Sequence, residues 1–196
     1  MLQDLDKAIA ALLKAELPSS IADNAAITFA APDDQFPSSS IKLPAIDLFL
    51  FAIEENHELR SYDPIVERKS DGTLSKKPPL PRVDCHYMIS AFPVPGTPDP
   101  DEDEHKMLGE VMRVLFRHRR LPDQVLQGDM AGQFTSVRAL ALAQSTNMRL
   151  PGVEMWQALK VRPRATIHYV LTISVDIGIP AVIERPATDV QFGASS

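Results

Sequence analysis

Residues 82–92 read RVDCHYMISAF, and this alternating stretch decides the fold class of the chain. Every second position is apolar or small and the positions between are mostly polar: Val83, Cys85, Tyr87, Ile89 and Ala91 against Asp84, His86, Met88 and Ser90. Successive side chains of a β-strand point to opposite faces, so this period of two predicts a half-buried strand. Cys85 then lies on the core-facing side, and His86 lies on the side that faces solvent.

Further strands are predicted on both sides of this stretch. Ile46–Ile53 is apolar on both faces, which is typical of a central strand. Ala165–Ile177 again alternates and predicts a second long strand. Shorter strands are predicted at Ala25–Ala31, at Pro64–Lys69 before the turn sequence Ser-Asp-Gly-Thr, and around Val137–Ala143.

Helical periodicity separates these strands. Leu5, Ile9 and Leu12 belong to an apolar stripe that ends at Pro18. A second helix begins with the acids 101–104 and ends with the basic residues 117–120, matching the helix dipole. A short helix is predicted around Trp156. The order of elements predicts an α+β fold, with a mixed, mainly antiparallel β-sheet flanked by helices. We expect one domain over residues 1–180 and a C-terminal tail over 181–196, either flexible or ordered on assembly.

Composition narrows the classes of partner. The chain has 196 residues, 44% of them apolar, and a formal net charge of −6. Its basic residues cluster only at 117–120 and at Arg162 and Arg164, so a nucleic-acid partner is disfavoured. No apolar run approaches the roughly 20 residues of a membrane-spanning helix. The single cysteine, Cys85, has no internal disulfide partner, and the first residues lack a basic signal-peptide start. These features predict a cytoplasmic protein that does not enter a membrane.

Candidate chemical groups are few. The acids 101–104 followed by His105 suggest a metal site, but without EF-hand spacing a dipole-matched helix N-terminus is the favoured interpretation. Cys85 and His86 are adjacent on a strand and point to opposite faces. The sequence contains neither a Gly-x-Ser-x-Gly motif nor a glycine-rich phosphate loop. We therefore predict no enzymatic activity, no cofactor and no metal; a hydrolase or transferase that uses Cys85 with a histidine is the alternative.

The polar segment after the apolar strand is the first candidate for a contact surface. An exposed strand edge can have either of two roles: it recruits a strand from another chain, or its charges prevent aggregation. The sequence pattern leaves both interpretations open. From expected exposure we predict partner contacts at Asn56, His57, Glu58 and Arg60. Arg117, Arg119 and Arg120, at the end of the long helix, are predicted to meet an acidic partner face.

Several stretches, taken in their order and spacing, carry a resemblance. They are LFLFAIEEN at 48–56, ELRS at 58–61, RVD at 82–84, YMISA at 87–91, EDEH at 102–105, LQG at 126–128 and WQAL at 156–159. Together they resemble the tail-terminator or cap family of extracellular contractile injection systems, the antifeeding-prophage type. The resemblance covers roughly residues 2–180.

The resemblance implies a structural role and a fold like that of phage tail terminators. Such a protein would form a hexameric ring at the end of the inner tube, would end tube and sheath polymerisation, and would anchor the last sheath layer. A polymer built from head-to-tail contacts needs a ring that offers no second growing face. The expected partners are further copies of the chain and the tube and sheath proteins, in the cytoplasm during assembly and in an extracellular particle after release. A baseplate or adaptor component of the same machine is the alternative.

Overall fold

A computed structural model describes residues 1–32, 36–131, 138–141, 153–160, 162–179 and 181–184. The helices within these ranges are α1 (Leu2–Glu16), α2 (Ser19–Ala22), α3 (Pro100–Arg117) and α4 (Val153–Leu159). The strands are β1 (Ala26–Thr28), β2 (Ala45–Glu55), β3 (Ile65–Arg68), β4 (Leu74–Lys77), β5 (Arg82–Phe92), β6 (Arg138–Ala141), β7 (Ile167–Ser174) and β8 (Val182–Glu184). Among the described residues, no helix combines the length and the apolarity that crossing a bilayer requires.

The main sheet has the strand order β1-β2-β5-β7-β6. β1 pairs in parallel with β2, while β2 with β5, β5 with β7 and β7 with β6 pair antiparallel. The alternating stretch at residues 82–92 is β5, at the centre of the sheet. The predicted α+β class, with a mixed and mainly antiparallel sheet flanked by helices, is confirmed.

β3, β4 and β8 form a smaller antiparallel sheet in that order, and a tight turn connects β3 to β4. Gly72 adopts a φ of 82° there, a conformation that a side chain would strain, and Thr73 donates two hydrogen bonds to Asp71. The sequence pattern did not predict β4 or β8. Val182–Glu184 belong to this sheet, and residues 185–196 lie outside the described ranges, so the division of the chain at residue 180 stays a prediction.

The hydrophobic core lies between one face of the main sheet and the helices α1 and α3. α1 buries Leu5, Ala8, Ile9, Leu12 and Leu13, the three- and four-residue spacing that the sequence shows. α3 buries Met107, Leu108, Val111, Val114 and Leu115. The sheet supplies residues such as Tyr87, Cys85 and Tyr169 to the same cluster. Each large side chain buried in this way contributes about 1.5–3 kcal/mol, so packing rather than helix propensity holds the layers together.

The opposite face of β5 is also buried, and this corrects the prediction of a half-buried strand. His86, expected on the solvent side, is only 4% exposed, and Met88 and Phe92 on the same face are equally covered. Part of the cover comes from Phe36, which packs edge-on against Phe92 with ring centroids 4.8 Å apart. The guanidinium of Arg164 also lies over the Phe92 ring, 4.0 Å from its centroid. Asp84 and His86 alternate with the apolar residues of β5 because they pair with Thr172 and His168 of the neighbouring strand β7 and not because they face bulk water.

A β-bulge interrupts the pairing of β2 with β5 between Leu50 and Ala52. Leu50 pairs with Tyr87 and Ala52 pairs with His86, so Phe51 is the extra residue. A bulge of this kind increases the twist of a strand and bends it away from its neighbour.

Candidate assembly surfaces

The most extended open backbone among the described residues is the outer edge of β2. Only Ala45, Ile46 and Asp47 pair with β1. Just beyond β1, the Ala30 N–H donates to the side chain of Asp47, at Oδ1 3.1 Å away. From residue 48 to residue 55, β2 pairs with β5 alone within the part of the chain that the structure describes. An edge of this length presents N–H and C=O groups that a strand from another chain can pair with.

Exposure rises along this edge. Leu48 is fully buried, whereas Ile53 is 50% exposed and Glu54 and Glu55 are open to solvent. The edge is therefore accessible mainly at its far end, beyond the bulge. Its charge there is acidic, and Arg60, whose guanidinium Nε lies 3.3 Å from a Glu55 carboxylate oxygen, offsets part of that charge.

The predicted contact residues 56–60 form the turn that follows β2. Asn56 is half-buried: its amide donates to Asp84 at 2.9 Å and its carbonyl oxygen accepts the Leu59 N–H. Asn56 therefore shapes the turn by holding the end of β2 to β5. His57, Glu58 and Arg60 are exposed side by side. A contact role for this set stays a prediction.

The second predicted set lies at the carboxyl end of α3. Arg117 donates to Glu16 of α1 at 3.0 Å, which ties the two helix ends together. Arg119 and Arg120 follow the helix and are exposed. These positive charges stand where the last helical carbonyls are, a favourable place for cations. A contact of these three arginines with an acidic partner also stays a prediction.

The residues considered for chemistry sit in internal contacts. The thiol of Cys85 is fully buried among the core residues, and burial raises its pKa to about 12, so it stays protonated. His86 Nδ1 lies 3.1 Å from His168 Nε2 on the opposite face of the sheet, with the two rings stacked. Phe51 packs against both rings. The described residues contain no group of three or more side chains placed to hold a metal ion.

The acidic run at 101–104 forms the first turn of α3, with Pro100 opening the helix. Glu104 turns inward, where a carboxylate oxygen lies 3.4 Å from Arg164. His105 points to solvent, away from this pair. The run thus matches the helix-terminus interpretation in its placement.

Two further surfaces are visible only in the folded chain. At the end of the main sheet where β2 finishes, the small sheet exposes Val66 and Val182 by 54% and 60%. At the end where β2 begins, a groove of about 520 Å³ opens between α2, α3 and the loop after β5. Its lining includes Ile21, Val94 and Met107. Exposed valines and prolines are not distinctive in sequence, so only the fold could reveal either surface.

The chain is similar to two solved structures. One is the sheath/tube terminator, in the extended state, of PVC, an extracellular contractile injection system. The two chains share 22% sequence identity at a TM-score of 0.69, and the match covers 100% of this chain and 64% of that chain. With the tube-terminating cap of the anti-feeding prophage it shares 19% identity at a TM-score of 0.64, covering 99% and 62%. The chain thus spans slightly under two thirds of the length of each. These likenesses show the fold.

A family model, described as the Pvc16 N-terminal domain, matches residues 4–188. The matched range includes the main sheet, the small sheet and both long helices. A comparison with curated proteins gave no match.

Proposed function

The chain belongs to the Pvc16 N-terminal domain family, and we propose from this that it forms the cap that ends inner-tube and sheath growth in a contractile injection system. The role is structural and not catalytic. Two solved structures with the same fold are a sheath/tube terminator and a tube-terminating cap, which supports this assignment. The proposed partners are tube and sheath proteins and further copies of this chain, arranged as a ring of six.

The observation that carries the proposal is the open outer edge of β2. A sheath whose subunits exchange strands would leave unpaired strands at its last layer. The far part of β2, next to the exposed Ile53, offers the backbone groups that such a strand needs. Glu58 and Arg60, in the turn just beyond the end of β2, would contact the end of the added strand and favour partner segments of matching charge.

Deleting the gene tests the role in the producing organism. We expect particles with uncontrolled tail length or with sheaths that detach, because nothing then ends the polymer. Electron microscopy of purified particles measures the length distribution. Particles of normal length and normal sheath from the deletion strain would refute the function. Labelled protein found at the spike end, rather than at the distal end, would place the chain in the baseplate and would equally refute a cap.

Complementation separates the turn after β2 from the rest of the surface. In the deletion strain, the triple variant His57→Ala, Glu58→Ala, Arg60→Ala should restore tube length less well, or leave the sheath detached. All three side chains are exposed, so the variant should fold. The matched control is Lys7→Ala with Lys14→Ala, which removes exposed charge from α1. Equal rescue by both variants would show that the residues after β2 are not the contact surface.

A further inference from the structure

The small sheet bears a row of side chains that combines apolar and basic groups. Val66 pairs with Lys76 across β3 and β4, and Lys76 pairs with Val182 across β4 and β8. Residues opposite each other in a sheet share a face, so the three side chains form one row. All three are exposed. Residues 65–77 carry four basic side chains against two acidic ones, so the hairpin is positively charged. We call β3, β4 and β8 the arm.

The groove at the other end has the complementary character. Three prolines, Pro18, Pro44 and Pro93, fix the loops that line it, so its shape is set before any partner binds. Its apolar lining includes Val94, which is 43% exposed. An apolar groove that stays open to water is a surface on which a partner's apolar side chains are stabilised.

The rim of this groove is acidic. Asp103, Met107 and Glu110 lie on one side of α3, and residues 99–110 carry six acidic side chains against one lysine. That lysine, Lys106, is held by Glu102 at 3.0 Å. Among the described residues no ion pair within 4 Å holds Asp103: Lys106 interacts with it electrostatically but bonds to Glu102, so the Asp103 carboxylate can take a cation from outside. A row of valine, lysine and valine therefore matches an apolar groove bordered by Asp103.

The arm and the groove lie at opposite ends of the same molecule. Pro44 of the groove immediately precedes β2, and the arm follows the end of β2. A strand of 11 residues separates them by about 30–35 Å. The arm cannot reach the groove of its own chain. Two different, complementary surfaces at opposite ends produce head-to-tail association, which closes into a ring when the rotation between copies allows it.

We propose that the arm of one copy docks into the groove of the next, with Val66 and Val182 against the apolar lining and Lys76 against Asp103. The occupant of the groove is thus a second copy of this chain. This contact rests on the proposed ring-forming function and gives it a specific interface. The β2 edge is left free for the sheath, so the two surfaces serve different partners.

Thiol cross-linking between copies tests the contact directly. Cys85 is the only cysteine and is buried, so the wild-type protein should not react with a short bis-maleimide linker. A tagged Lys76→Cys protein mixed with an Asp103→Cys protein should give a mixed dimer on a denaturing gel. Each single variant alone should give none. The double variant in one chain should give a ladder that ends in a closed species. The reaction is run on the isolated protein and on assembled particles.

Charge exchange provides the second measurement. Lys76→Glu and Asp103→Lys should each weaken self-association by about tenfold or more, as measured by sedimentation velocity, because each puts like charges together. The two changes in one chain restore opposite charges and should bring association back to within about threefold of wild type. Lys14→Glu, an exposed change on α1, is the matched control and should have no effect. Circular dichroism confirms that each variant is folded.

Several results would overturn the contact. They are the absence of the mixed dimer in both isolated protein and particles, cross-linking of the Lys76→Cys thiol to tube or sheath protein instead, and failure of the exchanged pair to restore association. The assay on isolated protein involves neither tube nor sheath. A mixed dimer together with normal tail length in the deletion strain would therefore refute the cap function while leaving this contact in place.

Discussion

Replacing Asp47 by asparagine should remove a fall in folding stability that the wild-type protein shows as pH rises. Asp47 lies at the start of β2 and is only 1% exposed. Its carboxylate accepts backbone N–H groups of Ala30 and Leu48, which favour the charged form. Burial outweighs them, because the charged form loses its water, and raises the pKa of Asp47 to about 7.

The sign and size of the effect follow from this pKa. In the unfolded chain the carboxyl has its ordinary value of 3.8. Between that value and about 7 the folded protein binds a proton that the unfolded chain does not, so the free energy of unfolding falls as pH rises, by about 1.4 kcal/mol per unit. Above the folded pKa the loss levels off. Between pH 5 and pH 8 the wild-type protein should lose about 2.5 kcal/mol through this group, and the asparagine variant should lose none of it.

Urea unfolding at a series of pH values measures the difference. Trp156 is buried and is the only tryptophan, so its fluorescence reports the transition. Burying an asparagine amide has a cost that does not depend on pH. This cost cancels when the difference in free energy of unfolding between variant and wild type at pH 8 is compared with the same difference at pH 5. The control is Asp71→Asn. Hydrogen bonds from Thr73 lower the pKa of Asp71, so its stabilisation is lost only in acid and its profile should match wild type from pH 5 to pH 8. Parallel profiles for wild type and the Asp47 variant would refute the reasoning.

Three further predictions concern side chains inside the fold. Cys85 should react with a thiol reagent only in denaturant, and Cys85→Ala should lower the free energy of unfolding by about 1–2 kcal/mol through lost packing, as measured by urea titration. Tyr87→Phe removes the 2.7 Å bond to Asp6 and should cost about 1–2 kcal/mol, and a double-mutant cycle with Asp6→Ala should show that the two changes are not additive. Arg164→Lys should lower the free energy of unfolding by about 2–3 kcal/mol, as measured by thermal unfolding. A lysine cannot bind the Ala91 carbonyl, pair with Glu104 and cover the Phe92 ring at the same time. A loss no larger than that of Arg113→Lys on the surface would contradict this.

The long elements could be predicted from sequence because each has an apolar side that repeats with one clear period. α1 ends near Pro18, and α3 runs from its acids to its arginines, both as expected. β5 and β7 alternate over their whole length. In these segments the pattern identifies the element and its core-facing side, although it misses the burial of the second face of β5 and β7.

The predictions failed or fell short where contacts between distant residues decide the structure. His86 was placed on the solvent side because it alternates with apolar residues, but it stacks on His168, 82 positions away. β4 and β8 are short and mostly exposed, and their hydrogen bonds to neighbouring strands define them rather than any apolar period. The partner contact predicted for Asn56 stays a prediction, but the sequence does not show that its amide binds Asp84, 28 positions away. No local pattern contains these partners.

The extra residue at the bulge decides which side chains the far end of β2 shows to each side of the sheet. With Phe51 present, Ile53 stands opposite Cys85 and Glu54 opposite Asp84. If Phe51 paired with His86 in an unbroken ladder instead of forming the bulge, Glu54 would stand opposite Val83, which shares the helix-facing side with Cys85. The carboxylate would then face the apolar layer, and the isoleucine would leave it. Whether this one residue is bulged or paired thus decides which face of the strand end each side chain takes, while every amino acid there keeps its identity.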